Sequence, residues 1–346
     1  MVECSVICIS AIRIRPVIFA TLRMLETKIL EKMKKYPSIA LGTWSWGTGA
    51  AGGDQVFGNH LEAEDLKPVF EEAMKRGLSL WDTATVYGMG ASESILGSFT
   101  RSYNREEVII STKFTPQIAG MYGDSMEQMC DASLKRFDTD YIDLYWIHNP
   151  ADVEHWTPEL ITLLKKGKVK SVGVSNHNLA ELKRANEILL AGGFKVSAVQ
   201  NHYSLLYRSS EEAGILDYCR ENDIVFFSYM VLEQGVLTGK YNSNNPLPQG
   251  SGRGETYNKI LPQLDILLSV MKEIADKRNA TVSQIAIAWA IAKHTLPIIG
   301  VTKTKYISET VAAASINLTG EEMALLENLA AKTGVDTKGS WEHPMI

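Results

Sequence analysis

The chain has 346 residues, of which 45% are hydrophobic, so it is long enough for one large core or two ordinary ones. Charged residues make up 22% of the chain and leave a net charge of -5, without the basic excess that binding a phosphate backbone requires. Nucleic acid is therefore not an expected partner. The cysteines show neither paired spacing nor the density of a disulfide scaffold, which favours a reducing, cytoplasmic compartment. They are Cys4, Cys8, Cys130 and Cys219.

The first 35 residues differ from the rest of the chain. Val6 to Ile12 is mostly apolar, but Arg13 and Arg15 follow this run, and it is shorter than the ~18 residues of a membrane-spanning helix. We therefore predict neither a signal peptide nor a membrane anchor. Residues 20–35 carry apolar side chains at helical spacing. We predict a poorly ordered N-terminal extension over 1–35 and one domain over 36–346, with Met33 a candidate start because the globular pattern begins after it.

From Ser38 onward, short apolar runs alternate with amphipathic helical patterns. The first run leads into a glycine-rich loop that continues to Asn59, and later runs end near 82, 113, 148, 175, 202, 229 and 300. Helices are predicted over 62–76, 92–101, 125–137, 158–166, 179–190, 211–222, 264–277, 282–293 and from Thr319. This regular alternation predicts an α/β fold with a parallel sheet, and eight strands predict closure into a single (β/α)8 TIM barrel. Residues 238–262 break the rhythm with many Gly and Pro, so we predict a long loop after strand 7.

Four polar residues lie at or just beyond the ends of the predicted strands two, three and four: Asp82, Tyr87, Lys113 and His148. Each alone is compatible with an ordinary structural role, but in a barrel the four would converge on one pocket. Lys113, held by Asp82, is expected to lower the pKa of Tyr87, and His148 can donate a hydrogen bond to a carbonyl oxygen. Such a site can protonate a carbonyl oxygen while the carbon receives a hydride. Because side chains cannot supply a hydride, a nicotinamide cofactor is implied.

Several motifs closely resemble those of the aldo-keto reductases, and the similarity extends from about Ile39 to Leu329. The motifs are Asp82-Thr83-Ala84 with Tyr87-Gly88, Glu93 and Leu96-Gly97, then Ser111-Thr112-Lys113, then Asp140-Tyr141-Ile142-Asp143-Leu144 ending in His148. The resemblance implies an NADPH-preferring reductase of a small-molecule aldehyde or ketone on a (β/α)8 barrel. It also implies that Tyr87 is the general acid, that Lys113 and Asp82 tune it, and that His148 orients the carbonyl.

The resemblance also implies a cofactor site. Ser175-Asn176 and Gln200 with Asn201 match the positions that hold the nicotinamide carboxamide, and Tyr229 matches the aromatic residue that stacks on the nicotinamide ring. Residues 232–241 resemble the pyrophosphate loop, and 300–309 resemble the segment that holds the adenosine end. The residues implied to bind the cofactor are Ser175, Asn176, Gln200, Tyr229, Leu232, Gln234, Gly235, Lys240, Gly300, Thr302, Lys303, Tyr306 and Glu309. No metal site is predicted.

One position departs from the family pattern. Thr310 stands where the family often has Asn, which puts part of the adenine contact in doubt. Lys303 and Lys305 offer positive charge for a 2′-phosphate, which favours NADP over NAD.

The sequence leaves two alternative functions open. A cofactor-binding regulatory subunit resembling the potassium-channel β subunits would use the N-terminal segment to bind a partner, although the intact set of four polar residues favours turnover. An isomerase or lyase on the same barrel would not need the carboxamide set. The substrate mouth is expected to be apolar and aromatic, and it is predicted to be lined by Trp44, Trp46, Met89, Phe114, Trp146 and the loop between Thr238 and Pro262.

Overall fold

The computed structural model describes residues 36–345, and the expected extension over 1–35 lies outside the described residues. In the described part, eight parallel strands close into a barrel in sequence order, with β8 paired to β1. The strands are β1 (Ala40–Gly42), β2 (Leu80–Asp82), β3 (Ile109–Phe114), β4 (Leu144–Ile147), β5 (Val172–Ser175), β6 (Ala198–His202), β7 (Val225–Tyr229) and β8 (Leu296–Gly300). The predicted (β/α)8 architecture is confirmed.

Helices surround the barrel and follow the strands along the chain. They are α1 (Gly53–Phe57), α2 (Ala63–Lys75), α3 (Ala91–Thr100), α4 (Met126–Phe137), α5 (Val153–Lys165), α6 (Leu179–Ala191), α7 (Ser209–Glu212), α8 (Ile215–Glu221), α9 (Gly252–Tyr257), α10 (Leu261–Asp276), α11 (Val282–Ala292), α12 (Thr304–Ala313) and α13 (Gly320–Lys332). Short 3₁₀ segments occupy Tyr87–Gly90, Arg105–Glu107, Pro116–Tyr122 and Glu233–Thr238.

Two predicted helices differ from the structure for identifiable reasons. Helix α5 begins at Val153 rather than Pro158, because the Asp152 side chain caps it by accepting a hydrogen bond from the backbone N–H of His155. The helix predicted over 211–222 is divided into α7 and α8, with Gly214 between them at φ +75°. The predicted loop over 238–262 contains α9, and α10 already begins at Leu261.

The register of the parallel strands brings polar residues together at one rim. Asp82 pairs with Ser111 across β2 and β3, and Ser175 pairs with Gln200 across β5 and β6. All strands run in the same direction, so their carboxyl ends meet on one face of the barrel. This rim carries the candidate site.

Candidate active site

A buried ion pair lies at the base of the site. The ammonium nitrogen of Lys113 is 2.6 Å from Oδ2 of Asp82 and 2.7 Å from the backbone oxygen of Thr83. Oδ1 of Asp82 accepts hydrogen bonds from Ser111 Oγ at 2.8 Å and from Gln200 Nε2 at 3.0 Å. Lys113 is fully buried and Asp82 nearly so. The pair is therefore removed from water but well supplied with hydrogen-bond partners, as a buried charge requires.

Tyr87 begins the 3₁₀ turn after β2, with its ring 5.3 Å from the Lys113 ammonium nitrogen. Burial, with a smaller contribution from the Asp82 carboxylate, raises the pKa of Tyr87 well above its usual value. The expected lowering of this pKa was wrong, because burial of the phenol dominates in this arrangement. Burial lowers the pKa of Lys113 itself, against the opposing effect of Asp82. The phenol therefore keeps its proton at neutral pH.

His148 follows β4 and lies across from Tyr87, with ring centroids 5.9 Å apart and planes at 79°. Its Nδ1 atom is 3.1 Å from the hydroxyl oxygen of Thr115. Burial and the Lys113 ammonium group lower the pKa of His148 well below its usual value, so the imidazole is neutral. When Thr115 donates to Nδ1, the proton of the neutral ring is on Nε2, which can then donate to a carbonyl oxygen.

One cavity of about 1020 Å³ joins these residues to the predicted cofactor positions. Asp82, Tyr87 and His148 line it, and Lys113 lies buried beside Asp82. Every residue implied to bind the cofactor also lines this cavity: Ser175, Asn176, Gln200, Tyr229, Leu232, Gln234, Gly235, Lys240, Gly300, Thr302, Lys303, Tyr306 and Glu309. The fold thus brings the predicted site residues together in one place.

The predicted carboxamide positions are connected by hydrogen bonds. Asn176, at φ +62°, donates from Nδ2 to the backbone oxygen of His148 at 2.9 Å and accepts at Oδ1 from the Tyr229 hydroxyl at 2.6 Å. Gln200 lines the cavity, whereas its neighbour Asn201 is buried outside the lining and donates to the backbone oxygen of His177 at 3.0 Å. Successive residues of a strand point in opposite directions, so only one of the two can reach the cavity.

Arg253 is a cavity residue that the sequence reasoning missed. It lies on α9 and donates from Nη1 to the backbone oxygen of Gln234 at 3.2 Å. Its guanidinium carbon is 5.8 Å from the ring centroid of Phe57 in α1 and 5.6 Å from that of Tyr241. Its Nε atom is buried and has no hydrogen-bond partner in residues 36–345. A signal was present, because Arg253 is the one arginine in the glycine-rich stretch 238–262.

The first turn of α12 faces the far end of the cavity. Lys303 occupies the N-cap position, and its side chain makes no capping hydrogen bond. The N–H groups of an uncapped first turn lack helical partners and favour a negatively charged ligand. Thr310, which departs from the family pattern, is buried and lines the cavity.

The loop expected at the mouth does line the cavity, through Lys240, Tyr241 and Arg253, but most of the aromatic residues expected there do not. Trp44 lines the cavity, but Trp46, Phe114 and Trp146 are fully buried in the core, and Met89 is not part of the lining. The indole N–H of Trp46 donates to the backbone oxygen of Val301 at 2.8 Å, which fixes its ring beneath the rim. Instead, Trp341 near the end of the chain lines the cavity and meets Trp44 edge to face at 5.6 Å.

The closed barrel has its cavity at the carboxyl-end rim, where (β/α)8-barrel enzymes hold their active sites. The model of the Aldo/keto reductase family matches residues 38–331. "Pyridoxal reductase, chloroplastic" of Arabidopsis thaliana is 33% identical over 85% of this chain and 83% of its own length. "NADH-specific methylglyoxal reductase" of Escherichia coli is 29% identical over 86% of this chain and 98% of its own length. A Klebsiella pneumoniae aldo/keto reductase, solved in complex with NADP and acetate, has a TM-score of 0.67 and 26% identity, covering 85% of this chain and 91% of that one.

The chain belongs to the aldo/keto reductase family, as its motifs predicted. It is an oxidoreductase that acts on carbonyl compounds with a nicotinamide cofactor. Among residues 36–345, no helix is both long and apolar enough to cross a membrane.

Proposed function

We propose that the protein reduces an aldehyde or ketone to the alcohol with NADPH in preference to NADH, and that Tyr87 is the general acid. The observation that carries the proposal is the shared cavity, in which a protonated phenol and a neutral imidazole lie next to the predicted cofactor positions. We also propose a reducing, cytoplasmic location, supported by the free, buried thiol of Cys130.

The cavity fits an anionic dinucleotide. The buried Nε atom of Arg253 has no hydrogen-bond partner among the described residues and lies beside the loop that carries Gln234, where a pyrophosphate would accept from it. Lys240 lines the same region. The uncapped first turn of α12, with Lys303, would receive a 2′-phosphate, which NADPH has and NADH lacks. One relative is named as NADH-specific, so these charges, and not membership of the family, support the preference for NADPH.

The reaction follows from the side chains at the rim. A bound nicotinamide supplies the hydride. His148 donates a hydrogen bond from Nε2 to the substrate oxygen, which orients the carbonyl and polarises it. As negative charge develops on that oxygen, Tyr87 transfers its phenolic proton to it. The Lys113 ammonium group near the ring stabilises the phenolate that remains, and Asp82 holds Lys113 in place.

Replacing Tyr87 tests the proposal. Tyr87→Phe keeps the ring but removes the proton donor, so we expect carbonyl reduction to fall about 100-fold or more while NADPH binding stays nearly unchanged. Turnover is followed by NADPH absorbance with a panel of carbonyl compounds that includes pyridoxal and methylglyoxal, and cofactor binding by fluorescence titration. A variant that keeps more than about a tenth of the parent turnover would show that another group supplies the proton.

A further inference from the structure

A buried histidine outside the proposed catalytic set lies between two carboxylates. His202, the last residue of β6, is fully buried. Its Nε2 atom is 2.9 Å from Oε1 of Glu233, and its Nδ1 atom is 3.0 Å from Oε1 of Glu342. A carboxylate oxygen can only accept, so two such bonds require a proton on each ring nitrogen. His202 is therefore an imidazolium that joins two parts of the chain 109 residues apart.

One end of this ion cluster is the loop after β7. Glu233 is fully buried and accepts further hydrogen bonds from Tyr257 at 2.8 Å, from Thr337 at 3.0 Å and from Ser204. Its backbone has φ +46°, a left-handed conformation that costs energy for a residue with a Cβ. The next residues of this loop line the predicted pyrophosphate region. The cluster thus fixes the start of the predicted cofactor loop.

The other end is the segment after α13, next to a wall of the cavity. Oε1 of Glu342 also accepts from the backbone N–H of Gly339 at 3.1 Å. The preceding side chain, Trp341, donates from its indole N–H to the Tyr229 hydroxyl at 3.3 Å and meets Trp44 edge to face. Trp341 is 44% exposed even so, whereas Glu342 beside it is buried. Glu342 is therefore one buried anchor of the segment that carries Trp341.

We propose that His202 is a positioning residue: by holding Glu342 against Glu233, it sets Trp341 against Tyr229 and Trp44 as a wall that selects flat, aromatic carbonyl substrates. The selection rests on the proposed function of this cavity as the site of carbonyl reduction. Trp44 and Trp341 present indole rings at 88° to each other, and aromatic rings favour such edge and face contacts with another ring. A saturated ring of the same size presents neither a flat face nor a π-system.

The kinetic test compares benzaldehyde with cyclohexanecarbaldehyde, which have the same carbon skeleton but differ in flatness. We expect Glu342→Gln, His202→Gln and Trp341→Ala each to raise the KM for benzaldehyde about five- to tenfold more than the KM for the saturated aldehyde. Because His202 acts through Trp341, the double variant His202→Gln/Trp341→Ala should be no worse than Trp341→Ala alone. His155→Gln, at an exposed position on α5, is the matched control and should change neither value.

A second measurement, limited proteolysis, tests whether His202 and Glu342 anchor the segment, and it does not depend on catalytic activity. Trypsin can cut after the exposed Lys338 when the segment that carries Glu342 leaves the barrel. We expect faster cleavage there in His202→Gln and Glu342→Gln, but not in His155→Gln. If His202→Gln does not fold, Glu342→Gln breaks the same His202–Glu342 ion pair by changing its other partner. That variant then tests whether the pair anchors the segment that carries Trp341.

Three results would overturn the inference. These are unchanged benzaldehyde KM values in the anchor variants, additive losses in the double variant, or unchanged cleavage after Lys338. Absence of carbonyl reduction in the parent protein is a different failure: it contradicts the proposed function, while cleavage after Lys338 still tests the anchor.

Discussion

Lys303 lies at the start of α12, where we propose that the 2′-phosphate of NADPH binds. It is exposed at the first turn of α12, so its effect is that of a surface charge, and we expect Lys303→Ala to weaken NADPH binding about fivefold while leaving NADH binding unchanged. Arg253→Ala is the contrasting variant, because it removes a charge beside the pyrophosphate region that both cofactors share. Arg253→Ala should therefore weaken the binding of NADPH and of NADH equally. Fluorescence titration gives the two dissociation constants, and equal losses in Lys303→Ala would assign the 2′-phosphate to another residue, with Lys305 or Tyr306 the next candidates.

At the scale of residues, the sequence predicted which side chains form the site better than it predicted their pKa values. Motif spacing placed Asp82, Tyr87 and His148 on one cavity, because parallel strands deliver their ends to one rim. The pKa of Tyr87 could not be read from the sequence, since it depends on burial and on where the Lys113 ammonium group points. Trp341 was missed because no periodicity relates the end of the chain to β1 and β7.

At the scale of single elements, helix starts and ends were predicted correctly where the signal lay in a few neighbouring residues. Thr319, where a helix was predicted to begin, forms the capping box with Glu322 at the start of α13. Gly77, at φ +78°, directly follows the predicted helix over 62–76 and comes just after the end of α2. The start of α5 differs from the prediction because the Asp152 cap, six residues before Pro158, sets it. Helix α9 in the long loop after β7 was missed because Gly, Pro and Asn are frequent in this stretch.

The ion cluster on β6 gives the stability of the fold a pH dependence. Burial lowers the pKa of His202, but Glu233 and Glu342 outweigh this effect and raise it to about 9. The unfolded chain has the ordinary value of about 6.5. The folded state therefore binds the proton more tightly, so this contribution to the free energy of unfolding is complete below pH 6.5 and is lost as the pH rises through about 9.

Urea unfolding between pH 6 and 9.5 measures this loss. We expect the free energy of unfolding to fall across the range in the parent protein and to fall less in His202→Gln, whose side chain does not titrate. His155→Gln serves as the control and should follow the parent. Parallel curves for the parent and His202→Gln would show that another group causes the pH dependence.

At the scale of the whole molecule, the residues assigned to the site and the barrel all follow Ser38. We expect a protein that begins at Met33 to fold and to reduce carbonyl compounds as well as the full chain, because every proposed catalytic and cofactor residue is retained. Thermal unfolding midpoints and NADPH-linked turnover of the two proteins provide the comparison. A shortened protein that is equally stable but inactive would assign residues before Met33 a role at the site.

The ion pair of Lys113 and Asp82 has a consequence for how the enzyme responds to salt. Mobile ions screen exposed charges over about a Debye length, but they cannot enter the space around a pair that is buried in the barrel. Lys303, by contrast, is open to the solvent. Added salt should therefore weaken the proposed preference for NADPH over NADH, while the proposed proton transfer from Tyr87 stays unchanged. Ionic strength would then alter which cofactor binds without altering the chemical step.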